Sequence, residues 1–161
     1  MSVAFTKEGD SEAAAADLPD RPISAHPNHV TATGLAAIDA ALAAARADFA
    51  EAQASGDISA DRTAMARASR ELRYWTARRA SARLVEPGAD DGVVRFGSSI
   101  TFVGSDGAEA TLRIVGEDEA DPAAGTVAYP APVARALMGK SVGDTARWGG
   151  REVEVTSVRA G

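Results

Sequence analysis

Leu35, Ile38, Leu42, Ala45, Phe49 and Ala52 follow one another at intervals of three and four residues, and Met65, Ala68, Leu72, Trp75, Arg79 and Ala82 repeat the pattern further on. This heptad spacing sets a stripe along one side of each of two helices. Each arm should run about 20–25 residues, about 30–37 Å at 1.5 Å per residue. The short connection between them, "SGDISADR", leaves room only for a reversal, so the helices are expected to pack antiparallel as a hairpin. A two-helix coiled coil has little core. It is a poor frame for a pocket and a good probe for a narrow space. Thr31 or Thr33 can cap the first helix, and Pro87 and Gly88 end the second. Arg79 falls on the stripe, which points to a partly open base of the hairpin.

Charge divides the chain into three blocks. Residues 1–29 hold five acids and two bases, residues 30–85 six and eight, and residues 86–161 twelve and seven, for a net charge of −6. That balance argues against wholesale binding of duplex nucleic acid, which requires a basic face. The absence of cysteine excludes a disulfide framework, a thiolate zinc site and a cysteine nucleophile, and it suits a reducing cytoplasm. No apolar run is long enough to span a membrane, and the start "MSVAFTKEGD" lacks the plan of a signal peptide. The first block, with three prolines and almost no large apolar residues, reads as a disordered tail over 1–29 that cannot offset its ordering entropy by burial. His26 and His29 lie in it. Two histidines without a third ligand make a weak metal site.

After the hairpin, residues 30–86, the remaining residues 87–161 read as a small mixed domain. "VVRF" and "SITFV" are β-rich, and "SDG" followed by "EATLRIVG" predicts a β-hairpin of Ile100–Val103 with Ala110–Val115. "TVAY" is a short strand, and "PAPVARALMGK" a helix with Pro132 in its first turn and Gly139 just past its end. "DTARW" and "EVEVTSV" add two strands, the second breaking its alternation once between Val155 and Val158. The fold class is α+β: a helical hairpin, then an antiparallel sheet wrapped on one helix.

The stretch "IVGEDEADPAAGTVAYPAPVARALMGKSVGD" resembles the C-terminal domain of the bacterial Gre transcript-cleavage factors, GreA and GreB, and the resemblance runs from about Val93 to Val158. "VTATG" is similar to the opening of the family's hairpin and "SGDISAD" to its tip. The resemblance implies an FKBP-like domain that docks at the rim of the secondary channel of RNA polymerase core. It implies a coiled coil that carries two tip acids to the polymerase active site, where they help hold a second Mg²⁺ and position a water. Two metals can clamp the attacking and leaving oxygens, and carboxylates are natural ligands for Mg²⁺. No cofactor of the chain's own is implied. The chain would be a monomer acting through the polymerase rather than an enzyme, with no membrane partner and with nascent RNA as a further contact.

Several positions carry that implication over. Asp57 matches the first tip acid. The second falls on Ala60, with Ser59 before it and Asp61 one position later, about 100° around a helix. By local chemistry alone the same residues make an ordinary turn, with Gly56 ending one helix, Asp57 or Ser59 capping the next and Asp61 near its positive end. Each arm is also about two turns shorter than in the cleavage factors, a loss of about 10 Å. The resemblance gives docking roles to Glu117, Asp118, Glu119, Asp121, Pro132, Val133 and Arg135, with Ala131 in place of the usual serine cap. In the second arm Arg62, Arg67, Arg70, Arg73, Arg78, Arg79 and Arg83 accompany a single acid, Glu71. Arg67, Arg70 and Arg73 are the candidate RNA contacts, and pairing with Asp39, Asp48 and Glu51 is the plainer reading. Three functions follow: a Gre-like elongation regulator with weak or altered cleavage stimulation, a non-cleaving channel occupant that inhibits or competes, and an FKBP-like peptidyl-prolyl isomerase. The last needs an aromatic pocket, for which only Phe96, Phe102, Tyr129 and Trp148 are at hand.

Overall fold

The computed structural model describes residues 18–55 and 60–161, with the backbone alone for Ala60 and Asp61. It divides into two compact units, one built on Ile38–Ser81 with the chain before His26, the other on His26–Ala37 with Ala82–Gly161.

The arms of the hairpin are α1 (Ala32–Ala54), which belongs to the first unit from Ile38 onward, and α2 (Ala60–Ser81). The first arm is rich in alanine and the second in alanine and arginine, residues that lose little freedom in a helix. Ile38, Leu42, Ala45 and Ala68 are buried, as the heptad stripe requires. Asp39 near the start of α1 pairs with Arg79 near the end of α2, so the helices run antiparallel. The stripe departs from expectation at its last turn. Arg79 is exposed, and Arg78, one residue earlier, is buried at 2% exposure. A step of three residues from Trp75, instead of four, reaches Arg78, so the buried side of α2 shifts one residue earlier at its last turn.

The chain before the hairpin also differs from the expected tail. Residues 1–17 lie outside the described residues. Of the rest, Asp20 accepts two hydrogen bonds from the Arg73 guanidinium, at 2.8 and 2.6 Å. Arg21 donates to Glu71 at 2.7 Å and lies 3.6 Å over the Tyr74 ring. Burial was the wrong measure for this stretch. Pro19 and Pro22 restrict the free chain on either side, so few polar contacts suffice to place it.

The second unit begins with β1 (His29–Val30), which pairs in parallel with β2 (Arg83–Leu84), His29 opposite Arg83. Residues 26–30 are therefore structured, and the expected boundaries at 29 and 86 give way to this pairing. The main sheet has the order β5-β4-β3-β7-β6, from β3 (Ser99–Gly104), β4 (Glu109–Val115), β5 (Thr126–Ala128), β6 (Thr145–Trp148) and β7 (Arg151–Arg159). It is mixed: β5 runs parallel to β4 and the other pairs are antiparallel. The break in alternation on β7 is a bulge. Ile100 faces Val158 and Phe102 faces Val155, so two steps along β3 oppose three along β7.

One helix, α3 (Pro132–Leu137), covers the sheet with Ala134 and Leu137, three residues apart. They join Val94, Ile100, Phe102, Leu112, Ile114, Ala146, Val153 and Val155 in one core. "VVRF" does not form a strand. Val93 makes a lone bridge to Ser141, and Gly97, at φ 87°, turns the chain into β3.

Candidate functional site

The site expected from the sequence has three parts: the tip, the basic flank of α2 and the docking surface of the second unit. At the tip, Asp57 and Ser59 lie outside the described residues, as does the Asp61 side chain. What is described is the reach. The arms have 23 and 22 residues, about 34 and 33 Å at 1.5 Å per residue. Below the tip, Asp48, Glu51, Ala52, Ser55, Ala64, Arg67, Ala68 and Glu71 line a gap between the arms of about 410 Å³. Small residues on both helices leave it open.

The basic flank is partly occupied. Arg79 takes Asp39, as the plainer reading expected, but Arg73 takes Asp20 from the chain before the hairpin. Arg67 sits at the gap beside Asp48, Glu51 and Glu71. The Arg70 Nε is buried with no hydrogen-bond partner among the described residues. Arg67, Arg70 and Arg73 succeed one another by three residues, and Arg70, Arg73 and Tyr74 share one face.

The docking acids do not form one free patch. Glu119 turns inward: its Oε2 accepts a hydrogen bond from Thr31 Oγ1 at 2.6 Å, and that oxygen accepts the Gly34 N–H at 2.9 Å. Thr31 is thus the cap of α1, and Glu119 brings a negative charge to the positive end of a long helix. Gly34 leaves room for it, because a Cβ there would stand 2.5 Å from the carboxylate oxygen. Asp121 caps a short turn at Pro122–Ala124, accepting the Ala123 N–H at 3.1 Å, and its carboxylate is committed locally. Glu117 and Asp118 are half-buried. On α3, Pro132 and Arg135 are exposed, whereas Val133 is half-buried and packs against the core. Ala131 makes no side-chain cap, as expected. Just past α3, Met138 and Val142 are exposed apolar residues that the sequence reading passed over.

Residues 89–160 match the family described as "Transcription elongation factor, GreA/GreB, C-term". The transcription elongation factor GreA of Ralstonia nicotianae is 37% identical over 124 residues, 69% of this chain and 78% of that protein. The chain belongs to the GreA/GreB family. A span of 69% of the chain exceeds the C-terminal match, so the family likeness continues beyond it. The GreA of Alkalilimnicola ehrlichii is 44% identical over 86 residues, 49% of this chain. The chain spans about half the length of that relative, 54%, and of the Methylobacterium sp. (strain 4-46) GreA, 45%. The structure of GreA factor homolog 1 (Gfh1) of Thermus thermophilus aligns with 83% of this chain and 99% of its own at 21% identity and a TM-score of 0.40, too loose a superposition to place any residue.

In this GreA/GreB chain the four aromatics of the isomerase reading separate into two pairs. Phe102 and Trp148 meet edge-on at 5.6 Å, and Phe96 and Tyr129 at 5.9 Å. The second pair is filled by histidine: His29 lies 5.4 Å from Tyr129 and 6.1 Å from Phe96, and His26 lies 6.3 Å from Tyr129. The Tyr129 hydroxyl donates to the Pro27 carbonyl at 2.7 Å. The two histidines therefore serve packing. Among the described residues no group of three or more His, Asp or Glu gathers to hold a metal, and no helix is long and apolar enough to cross a membrane.

Proposed function

We propose that this chain regulates transcription elongation by binding bacterial RNA polymerase at its secondary channel, with the hairpin inserted and the second unit at the rim, and that it stimulates transcript cleavage weakly. Family membership carries this reading. Ala60 at the position of the second tip acid supports the weakness of cleavage, since one carboxylate supplies a second Mg²⁺ with too few charged ligands. The metal would be the polymerase's, shared through Asp57, and the chain would act through the polymerase active site. In a stalled, backtracked complex the unmodified chain should shorten the RNA 3′ end slowly. Ala60→Glu should speed it, and Asp57→Ala in that background should remove the gain. Robust shortening by the unmodified chain, lost in Asp57→Ala, refutes the weak-cleavage reading.

A second reading is favoured by the arm lengths of 23 and 22 residues. A hairpin too short to deliver its tip would occupy the channel without chemistry and compete with cleavage factors. Under this reading Ala60→Glu does nothing, one heptad added to both arms together restores cleavage, and the unmodified chain slows shortening driven by a cleavage-competent relative. Both arms must grow, because an addition to one alone breaks the seam register.

A further inference from the structure

The contacts made by Asp20 and Arg21 have the chemistry of a bound nucleotide. The Asp20 carboxylate takes the Nε and Nη2 donors of Arg73, the pair of hydrogens a phosphate oxygen would engage. Next to it the planar Arg21 guanidinium lies 3.6 Å above the Tyr74 ring centroid, where an unpaired base would stack, with Trp75 edge-on to Tyr74 at 5.0 Å. Arg70 on the same face has its Nε buried without a partner among the described residues. An anion reaching this face once Asp20 has left would meet the freed donors of Arg73.

We infer that the segment around Asp20 and Arg21 is a displaceable internal cover over the Arg70–Arg73–Tyr74 face of α2, and that it competes there with single-stranded RNA. The ion pairs that hold Asp20 and Arg21 lie at the surface. The Arg73 and Asp20 side chains are 56% and 64% exposed in their pair, and Arg21 and Glu71 31% and 41% in theirs. Pairs this exposed are weak and open readily, yet a linked segment keeps them present at high effective concentration. Pro19 and Pro22 hold the Asp-Arg dipeptide between two stiff residues, which favours its return. The net charge of −6 turns RNA away from the rest of the chain, so uncovering this face should change affinity visibly. The choice of RNA as competitor rests on the proposed function; the cover itself does not.

The test uses the full chain without polymerase, so failure of polymerase binding and failure of the cover are read separately. A fluorescein-labelled single-stranded oligouridine is titrated at low, fixed ionic strength and followed by anisotropy. Asp20→Ala with Arg21→Ala should bind about tenfold more tightly than the unmodified chain, the combined effect expected from two exposed ion pairs and one cation–π contact. Adding Arg73→Ala to that double variant should abolish the gain. Circular dichroism of all variants should be unchanged, because the altered side chains lie at the surface. Equal affinity of the double variant and the unmodified chain overturns the inference, and so does a gain that survives Arg73→Ala.

Discussion

Gly34 and Glu119 are 85 positions apart, yet one occupies space the other leaves free, and that coupling can be measured. Glu119→Ala strips the acceptor from the buried Thr31 hydroxyl. A hydrogen bond to a charged group contributes about 1.5–3 kcal/mol, and a carboxylate at a helix N-terminus about 0.3–1 kcal/mol, so a loss of about 2 kcal/mol is expected. Gly34→Ala brings the usual helix gain of about 0.5–1 kcal/mol. It also sets a methyl 2.5 Å from Glu119 Oε2 and 3.3 Å from its Cδ. The carboxylate must swing away, and the net effect should be a loss of about 1 kcal/mol. With Glu119 already alanine, the same methyl meets nothing closer than Thr31 Oγ1 at 3.4 Å, and Gly34→Ala should stabilise. The sign reversal gives a coupling of about 2 kcal/mol. Urea unfolding followed by Trp148 fluorescence in a Trp75→Phe background reads the second unit alone. Effects that add within about 0.5 kcal/mol would refute the claim that Gly34 exists to admit Glu119.

Gly116→Ala should destabilise the second unit by about 1–3 kcal/mol in the same assay, since its Cβ would stand 2.5 Å from the His29 carbonyl oxygen, a backbone atom that cannot step aside. Arg135→Glu, exposed on α3, should weaken binding to core polymerase severalfold while leaving the unfolding midpoint unchanged, as a fluorescence titration would show; unchanged affinity removes α3 from the docking surface. The Arg95 guanidinium, donating to both oxygens of Asp91, holds that carboxyl at about 2, below its ordinary 3.8. The depressed value means the contribution is present above about pH 4 and lost as pH falls through about 2. Asp91→Asn should therefore lower the unfolding midpoint at pH 5, and the difference should shrink steadily as pH falls from about 4 toward 2.

What could be read from the sequence was what depends on neighbours within a few turns. Ile38, Leu42, Ala45 and Ala68 declared the seam because a helix repeats its burial every three or four residues. The single break between Val155 and Val158 declared the bulge because a strand repeats every two. The burial of Arg78 was not legible, since the heptad spacing from Trp75 points to Arg79. "VVRF" misled because β-branched residues also suit a buried turn, and here Gly97 redirects the chain. Asp20 and Arg21 were read as part of a disordered tail and Glu119 as a docking acid, because their partners stand 53, 50 and 88 residues away in the chain. Nothing local marks them. Val133 and Pro132 are adjacent and looked alike as docking residues, but only the geometry of α3 separates the one that packs from the one that faces out.

The pairing of His29 with Arg83 zips together the two points where the chain leaves for the hairpin and returns from it. In polymer terms, everything between them is a loop whose ends are already tied. The entropy of closing such a loop grows only with the logarithm of its length, about 0.6 kcal/mol for a full doubling. Because the zipper uses backbone hydrogen bonds, Arg83 N–H to Asn28 and Val85 N–H to Val30, it is indifferent to what the arms contain. Arm length is then nearly a free parameter of this architecture. Whole turns can be removed or added in matched pairs with little penalty at the zipper, so reach can be reset by paired insertions and deletions while the rest of the molecule stays as it is.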